Sequence, residues 1–308
     1  MRLVPLLCLA AACGGGTPTP GPSPTPAALP SARGAAAASA HSALVNGTTL
    51  AYRLIGDSGT PVVFVHGSLG DLGDWDAQVA AFAQRHRVLV YSRRYHPPNP
   101  PHNDDQTYSP MLHADDLAAL LLQLDLAPAH VVGSSYGAYT ALVLALEHPE
   151  LVRSVVLGEP PIMPLLNRTP EGDALRRDYF ARVLDPARAA FARRDSAGGL
   201  RAFLRGEGLA APAGANLLTY AFELRHEMLA NREQYMAPLT CRDLGALHTG
   251  VLLVSGDRSA PVFHAINAEL ARCLQNDSTV TIPNAGHAMQ SSNPAYYNQV
   301  VLRYLAMH

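Results

Sequence analysis

The chain has 308 residues, with 48% of them hydrophobic and a net charge of -2. That is enough for one large domain with a sizeable core. Near neutrality with no basic stripe excludes a general nucleic-acid binder, and no lysine occurs anywhere, so every fixed side-chain cation is an arginine.

The first forty residues do not read as part of a fold. Arg2 is followed by the apolar run Leu3 to Ala12 and then Cys13, and Gly14 to Pro30 is built almost entirely of Gly, Pro, Thr, Ser and Ala. A charged start, a short apolar stretch and small residues describe an export signal too short to span a bilayer comfortably. Residues 1–13 are therefore expected to be a signal segment and 14–41 a disordered linker. Leu9-Ala10-Ala11-Ala12-Cys13 resembles the lipobox of bacterial lipoproteins, which implies a lipid-anchored, exported protein; plain secretion is the alternative. Export would permit a Cys241–Cys273 disulfide, and two separate buried thiols are the other possibility.

From Ser42 the pattern changes. Two short strands flank Asn46-Gly47, a strong hairpin signal. Pro61 to Val65 is a continuous apolar run that ends in His66-Gly67-Ser68-Leu69-Gly70. Such a run, without alternation, suits a strand covered on both faces of a parallel sheet. A helix is predicted over Asp74 to Gln84, a strand over Arg87 to Tyr91 and an amphipathic helix over Met111 to Leu124. The strand at His130-Val131-Val132 runs into Gly133-Ser134-Ser135-Tyr136-Gly137, and a helix follows. A serine at the apex of so tight a strand-turn-helix tolerates strained backbone angles only if its hydroxyl must be exposed, and the flanking glycines remove side chains that would collide. This is the form of a nucleophile elbow, with Ser135 at its centre.

The next predicted strand, Ser154 to Leu157, closes on Gly158-Glu159-Pro160-Pro161. From Ile162 to about Gly250 only helical stretches are predicted. Val251 to Ser255 restores the strand pattern and ends in Gly256-Asp257-Arg258-Ser259; after a helix and the strand Thr279 to Ile282 comes Gly286-His287, and a last helix ends the chain. Alternating strands and helices argue for an α/β fold with a mostly parallel, doubly wound sheet. Its core spans residues 42–161 and 251–308, and 162–250 form a helical lid over the ligand-binding edge.

In their order and spacing, His66-Gly67-Ser68, the elbow at Ser135, the insert and Gly286-His287 resemble the α/β-hydrolase superfamily over about residues 42–308. The resemblance implies a Ser, acid, His triad in that chain order, with Ser135 as nucleophile and His287 as base. Many relatives carry the acid three residues beyond the glycine after the post-insert strand, and here that position is Ser259. A second arrangement in the family puts it at the end of the strand after the elbow helix, where Glu159 stands. Glu159 is the preferred acid and Asp257 the alternative. The competing roles are a salt bridge from Glu159 to Arg93 or Arg94, and helix capping by Asp257. The oxyanion donors are expected to be the backbone N–H groups of Tyr136 and Ser68, with Leu69 as the alternative to Ser68.

His66 is expected to shape its loop by hydrogen bonding. His96, His102 and His113, near Asp104 and Asp105, are expected in a solvated loop rather than at a metal. Trp75, Tyr95, Tyr136, Tyr139, Met163 and Leu165 are candidate pocket walls, with ordinary packing as the other possibility. The expected activity is hydrolysis of a carboxylic ester, thioester or lactone of a small-molecule substrate, without metal or organic cofactor. A carbon–carbon hydrolase or amidase on the same triad is the alternative, and a non-catalytic binding protein of the same fold is the rival from another class.

Overall fold

The computed structural model describes residues 40–101, 106–209, 217–236 and 239–308. The candidate signal segment with Cys13, the linker up to residue 39, and His102, Asp104 and Asp105 lie outside the described residues.

Among the described residues the strands are β1 (His41–Val45), β2 (Thr48–Ile55), β3 (Thr60–Val65), β4 (His86–Tyr91), β5 (Ala129–Ser134), β6 (Val152–Gly158), β7 (Gly250–Gly256) and β8 (Asp277–Ile282). They form one sheet in the order β1-β2-β4-β3-β5-β6-β7-β8. β1 and β2 pair antiparallel, as do β2 and β4, while β4-β3-β5-β6-β7-β8 are all parallel. The β1–β2 hairpin turns at Asn46 (φ 43°) and Gly47 (φ 75°), the left-handed pair that a two-residue turn matching strand twist demands.

Five helices cover the sheet: α1 (Asp76–Phe82) and, at the far end of the chain, Pro294–Leu305 on one face; α2 (Pro110–Gln123), α3 (Tyr136–Glu147) and Pro261–Cys273 on the other. Consecutive residues of β3 serve opposite faces, as the pleat requires. Val62 and Phe64 join Trp75 and Tyr297, whereas Val63 and Val65 join Leu117, Leu142 and Phe263. Burial on both faces is what the unbroken apolar runs encode.

Between β6 and β7 the described residues hold a 3-10 turn (Met163–Arg168), α4 (Pro170–Tyr179), a π-helical turn (Phe180–Leu184), α5 (Asp185–Ala192), α6 (Ser196–Gly206), α7 (Ala221–Leu229), α8 (Arg232–Tyr235) and α9 (Cys241–Gly245). The Pro261–Cys273 helix is α10, and α11 (Met289–Ser292) and α12 (Pro294–Leu305) complete the chain. Cys241, opening α9, is bonded to Cys273, closing α10, with Cα atoms 4.8 Å apart. Closing a loop across a separation of 32 residues stabilises the fold by roughly 3–4 kcal/mol in the chain-entropy view.

Of the two readings open for Trp75 ordinary packing holds, and one expectation fails. Trp75 is 1% exposed and packs against Phe64 at 4.8 Å and Tyr297 at 6.2 Å, so it belongs to the core on the α1 face. His96 and His113 are not in a solvated loop: both are buried. Burial first, and the neighbouring Arg93 second, hold both imidazoles well below the usual histidine range. Among the described residues no cluster of His, Cys, Asp or Glu has the makings of a metal site, and no helix is long and apolar enough to cross a membrane.

Candidate active site

β5 ends at Ser134, α3 begins at Tyr136, and Ser135 between them has φ 53° and ψ -125°. These are angles a non-glycine residue adopts only under constraint. The constraint is visible on both sides. Ser135 N–H donates to Gly158 O at 2.7 Å, which ties the apex to β6. A Cβ on Gly133 would lie 2.5 Å from Ala138 Cα, and one on Gly137 would lie 2.2 Å from Val65 O. Both glycines are therefore required by contact: the first lets α3 fold back over β5, the second lets α3 touch the end of β3.

Ser135 and His287 line one cavity of about 110 Å3, together with Gly67, Ser68, Asp74, Phe203, Glu207 and Gln290. His287 follows β8, and its ring stacks on Phe263 of α10, with centroids 4.0 Å apart and planes at 16°. Its Nδ1 lies 2.7 Å from Glu159 Oε2. Glu159, one residue past β6, is fully buried at φ 49°, and its other oxygen accepts from Gly256 N–H at 3.0 Å. A carboxylate so placed makes His287 Nδ1 a proton donor and leaves Nε2 free to accept a proton. Burial disfavours the imidazolium, but the bond from Glu159 and the fields of Glu207 and Glu159 outweigh it, and His287 sits above the usual histidine range.

Asp257, the alternative acid, does not meet the imidazole. Its two oxygens accept from Asn284 N–H at 2.9 Å and Ala285 N–H at 3.0 Å. Those two bonds, with burial opposing, hold its carboxyl below the usual range. It fastens the loop that leads to His287. Nor does Glu159 make the salt bridge weighed against a catalytic role. Arg93 donates to His66 O, Gly67 O and Tyr108 Oη, and Arg94 makes a two-pronged contact with Asp116 at 2.7 and 2.8 Å.

On the other side of Ser135, a Cβ at Gly67 would stand 3.6 Å from Ser135 Oγ, so the loop after β3 runs directly alongside it. Tyr136 is the first residue of α3, where a backbone N–H has no partner within the helix. Ser68 is the second wall of the cavity at this end. Leu69 is different: its N–H donates to Glu223 Oε1 at 2.7 Å and so is already engaged. His66 shapes the loop through both ring nitrogens, with Nδ1 donating to Gly67 O at 2.9 Å and Nε2 accepting from Arg93 N–H at 2.9 Å.

The remaining expected pocket walls do not line this cavity. Tyr95 stacks on His226 at 4.6 Å, Tyr136 stacks on Tyr235 at 5.0 Å, Tyr139 and Leu165 are buried, and Met163 lines a separate cavity with Phe180 and Met236. The walls are instead Phe203 and Glu207 from α6 and its end, with Asp74 and Gln290. Glu207 accepts a hydrogen bond from Tyr179 of α4; burial raises its carboxyl above the usual range, against the opposing field of His287. Burial and the nearby Asp71 push Asp74 up to about 7.

A family model described as the alpha/beta hydrolase fold matches residues 60–294. A Mus musculus protein named sn-1-specific diacylglycerol lipase ABHD11 is 28% identical over 279 residues, covering 83% of this chain and 85% of its own. The solved carboxylesterase CesB (YbfK) from Bacillus subtilis superposes with a TM-score of 0.67 at 18% identity, over 88% of this chain and 92% of its own. Est816, described as an N-acyl homoserine lactone degrading enzyme, superposes with a TM-score of 0.64 at 26% identity, over 86% of this chain and all (100%) of its own. A match of this extent, on a sheet of this order with a strained serine at its elbow, places the protein: the chain belongs to the α/β-hydrolase fold family.

Proposed function

We propose that this hydrolase cleaves a carboxylic ester, thioester or lactone through an acyl-enzyme, with Ser135 as nucleophile, His287 as base and Glu159 as the orienting acid. The observation that carries the reading is the 2.7 Å contact of His287 Nδ1 with the buried Glu159, on an imidazole that shares a cavity with Ser135. Ser135 Oγ attacks the substrate carbonyl while His287 Nε2 takes its proton. The carbonyl oxygen, now an anion, is met by the N–H groups of Tyr136 and Ser68. His287 returns the proton to the leaving oxygen or sulfur. Water then repeats the sequence to free the acid and restore Ser135. The names of the mouse lipase relative and of the lactone-degrading Est816 support an ester or lactone carbonyl.

A panel of short-chain aryl ester, thioester, lactone and anilide substrates, run beside labelling by a fluorophosphonate, tests this. Ester, thioester or lactone turnover at least about tenfold above anilide turnover, and stoichiometric labelling, are expected. Preferential anilide turnover moves the protein to the amidases. Absence of labelling where a control esterase labels points to a binding protein of this fold.

Export and lipid attachment at Cys13 belong to the same reading, because the sequence before residue 40 has the make-up of a leader and tether. Expressed in a bacterium with a lipoprotein pathway, the wild type should fractionate with membranes and Cys13→Ala should not. An identical distribution of the two removes the anchor.

A further inference from the structure

α7 carries two carboxyl groups one helical turn apart, Glu223 and Glu227, and both are buried, at 0% and 1% exposure. Acids spaced i, i+4 lie on one face of a helix, and this face is turned to the loop beside Ser135. Glu223 Oε1 accepts from Leu69 N–H at 2.7 Å, and Glu227 Oε1 accepts from Ser68 Oγ at 2.6 Å. Arg93 holds the same loop through different atoms. Its Nε donates to His66 O at 3.0 Å and its Nη2 donates to Gly67 O at 3.0 Å.

The consequence follows from the planarity of the peptide bond. In a trans peptide the C=O and the following N–H point in opposite directions. Fastening Gly67 O to Arg93 therefore aims Ser68 N–H the other way, and the bonds from Ser68 Oγ and Leu69 N–H to α7 prevent the peptide from rotating. We infer that Arg93, Glu223 and Glu227 are positioning residues that clamp the Gly67–Ser68 peptide so that Ser68 N–H faces the cavity, and that the docking of α7 is what completes the oxyanion hole. The catalytic half of this inference rests on the serine-hydrolase reading; the clamp itself does not.

The charges fit the task. Two buried carboxylates facing one guanidinium would leave one of them uncompensated, which is costly. Glu227 meets three hydroxyls: Ser68, Tyr235 at 2.7 Å and Tyr108 at 3.3 Å. Tyr108 in turn accepts from Arg93 Nη1 at 3.1 Å. That surround suits an ionised group. Glu223 Oε2 has no hydrogen-bond partner and lies 3.4 Å from His96 Nε2. The other nitrogen of His96 is 2.9 Å from Gly70 O and serves there as the donor. Burial raises both carboxyls above the usual range, and Glu223 well above it, with the charge of Glu227 adding to the effect; His96 Nε2, beside Glu223 Oε2, also lies 3.4 Å from Tyr108 Oη. Nothing in core stability calls for such a pair, since apolar side chains of similar size fill buried space at lower cost.

Three variants decide it: Glu223→Ala, Glu223→Gln and Ser68→Ala. Each is read by kcat and KM on an aryl ester, by thermal midpoint, and by amide hydrogen exchange over residues 62–72. Glu223→Ala frees Leu69 N–H and should lower kcat about 10–100-fold with KM within about twofold, because misplacing a transition-state donor costs rate rather than ground-state binding. Glu223→Gln keeps an acceptor for Leu69 N–H and should recover most of that loss. Ser68→Ala keeps the oxyanion N–H, loses only the tie to Glu227, and should lower kcat about 3–10-fold. Exchange at the loop should quicken about tenfold or more in Glu223→Ala. A folded Glu223→Ala with unchanged kcat and exchange overturns the clamp, as does a loss that appears only in KM or a Gln variant no better than Ala. If Glu223→Ala does not fold, an unaltered kcat in Ser68→Ala overturns it. A wild type without hydrolase activity whose loop still loosens in Glu223→Ala sinks the hydrolase reading and leaves the clamp standing.

Discussion

Ser135→Ala is expected to lower kcat on an aryl ester by about 10^6-fold, as removal of a nucleophile that acts as one unit with its base does. The backbone singles this residue out from its neighbour. Ser134 is the last residue of β5, in ordinary strand geometry, while Ser135 alone has the left-handed φ of 53°. The cost of that conformation is met by the bond to Gly158 O and by two glycines whose Cβ atoms could not be accommodated. The bond from Ser135 N–H to Gly158 O also sets the apex next to Glu159, so the end of β6 both ties down Ser135 and carries the carboxylate that meets His287. Ser134→Ala should therefore keep fluorophosphonate labelling and Ser135→Ala should lose it. The alanine variant is still expected to exceed the uncatalysed rate by about 10^3-fold, because its backbone donors stay in place. Residual kcat above about 1% of wild type in Ser135→Ala, or loss of labelling in Ser134→Ala instead, would reassign the nucleophile.

The parts of this architecture that were legible in the sequence are those set by local constraint. Gly133 and Gly137 mark the elbow because backbone atoms occupy the space of their missing side chains. The apolar runs Val62–Val65 of β3 and Val251–Val254 of β7 mark a sheet covered on both faces. Glu159 is singled out by the resemblance rather than by local constraint, and it is this carboxylate that lies 2.7 Å from His287 Nδ1. What could not be read depends on how segments far apart in the chain meet. Trp75 has the size of a pocket wall, yet it packs into the core at the start of α1, against Phe64 and Tyr297. His96 lies among prolines that suggest a surface loop, yet it is buried with its ring edge-on to His66, centroids 4.6 Å apart. Glu223 and Glu227 were passed over because acids on a helix usually face water. The available signal was their interleaving with Phe222, Leu224 and Met228, which leaves α7 without a clean polar face.

Glu159→Gln is expected to lower kcat by about 10^4-fold, and Asp257→Asn by no more than about fivefold. The argument for the first rests on which oxygen does what. Glu159 Oε1 accepts from Gly256 N–H at 3.0 Å and Oε2 lies 2.7 Å from His287 Nδ1. A glutamine has one acceptor and one donor to place in those two positions. Gly256 N–H cannot reverse its role, so the amide oxygen goes to Gly256 and the NH2 group faces His287. Nδ1 must then accept, the ring proton moves to Nε2, and the nitrogen that should take the Ser135 proton already carries one. The pH profile provides a second sign. The wild-type imidazole sits above the usual histidine range because its carboxylate neighbours outweigh burial, and the base must be neutral to act. Activity therefore falls as pH drops through that raised value, and losing the Glu159 charge should move the acid limb of kcat/KM to lower pH while kcat itself collapses. Asp257→Asn weakens two bonds to the loop before His287 without touching the ring, so a modest loss with an unmoved limb is expected. The opposite ranking of the two variants would transfer the role of acid to Asp257.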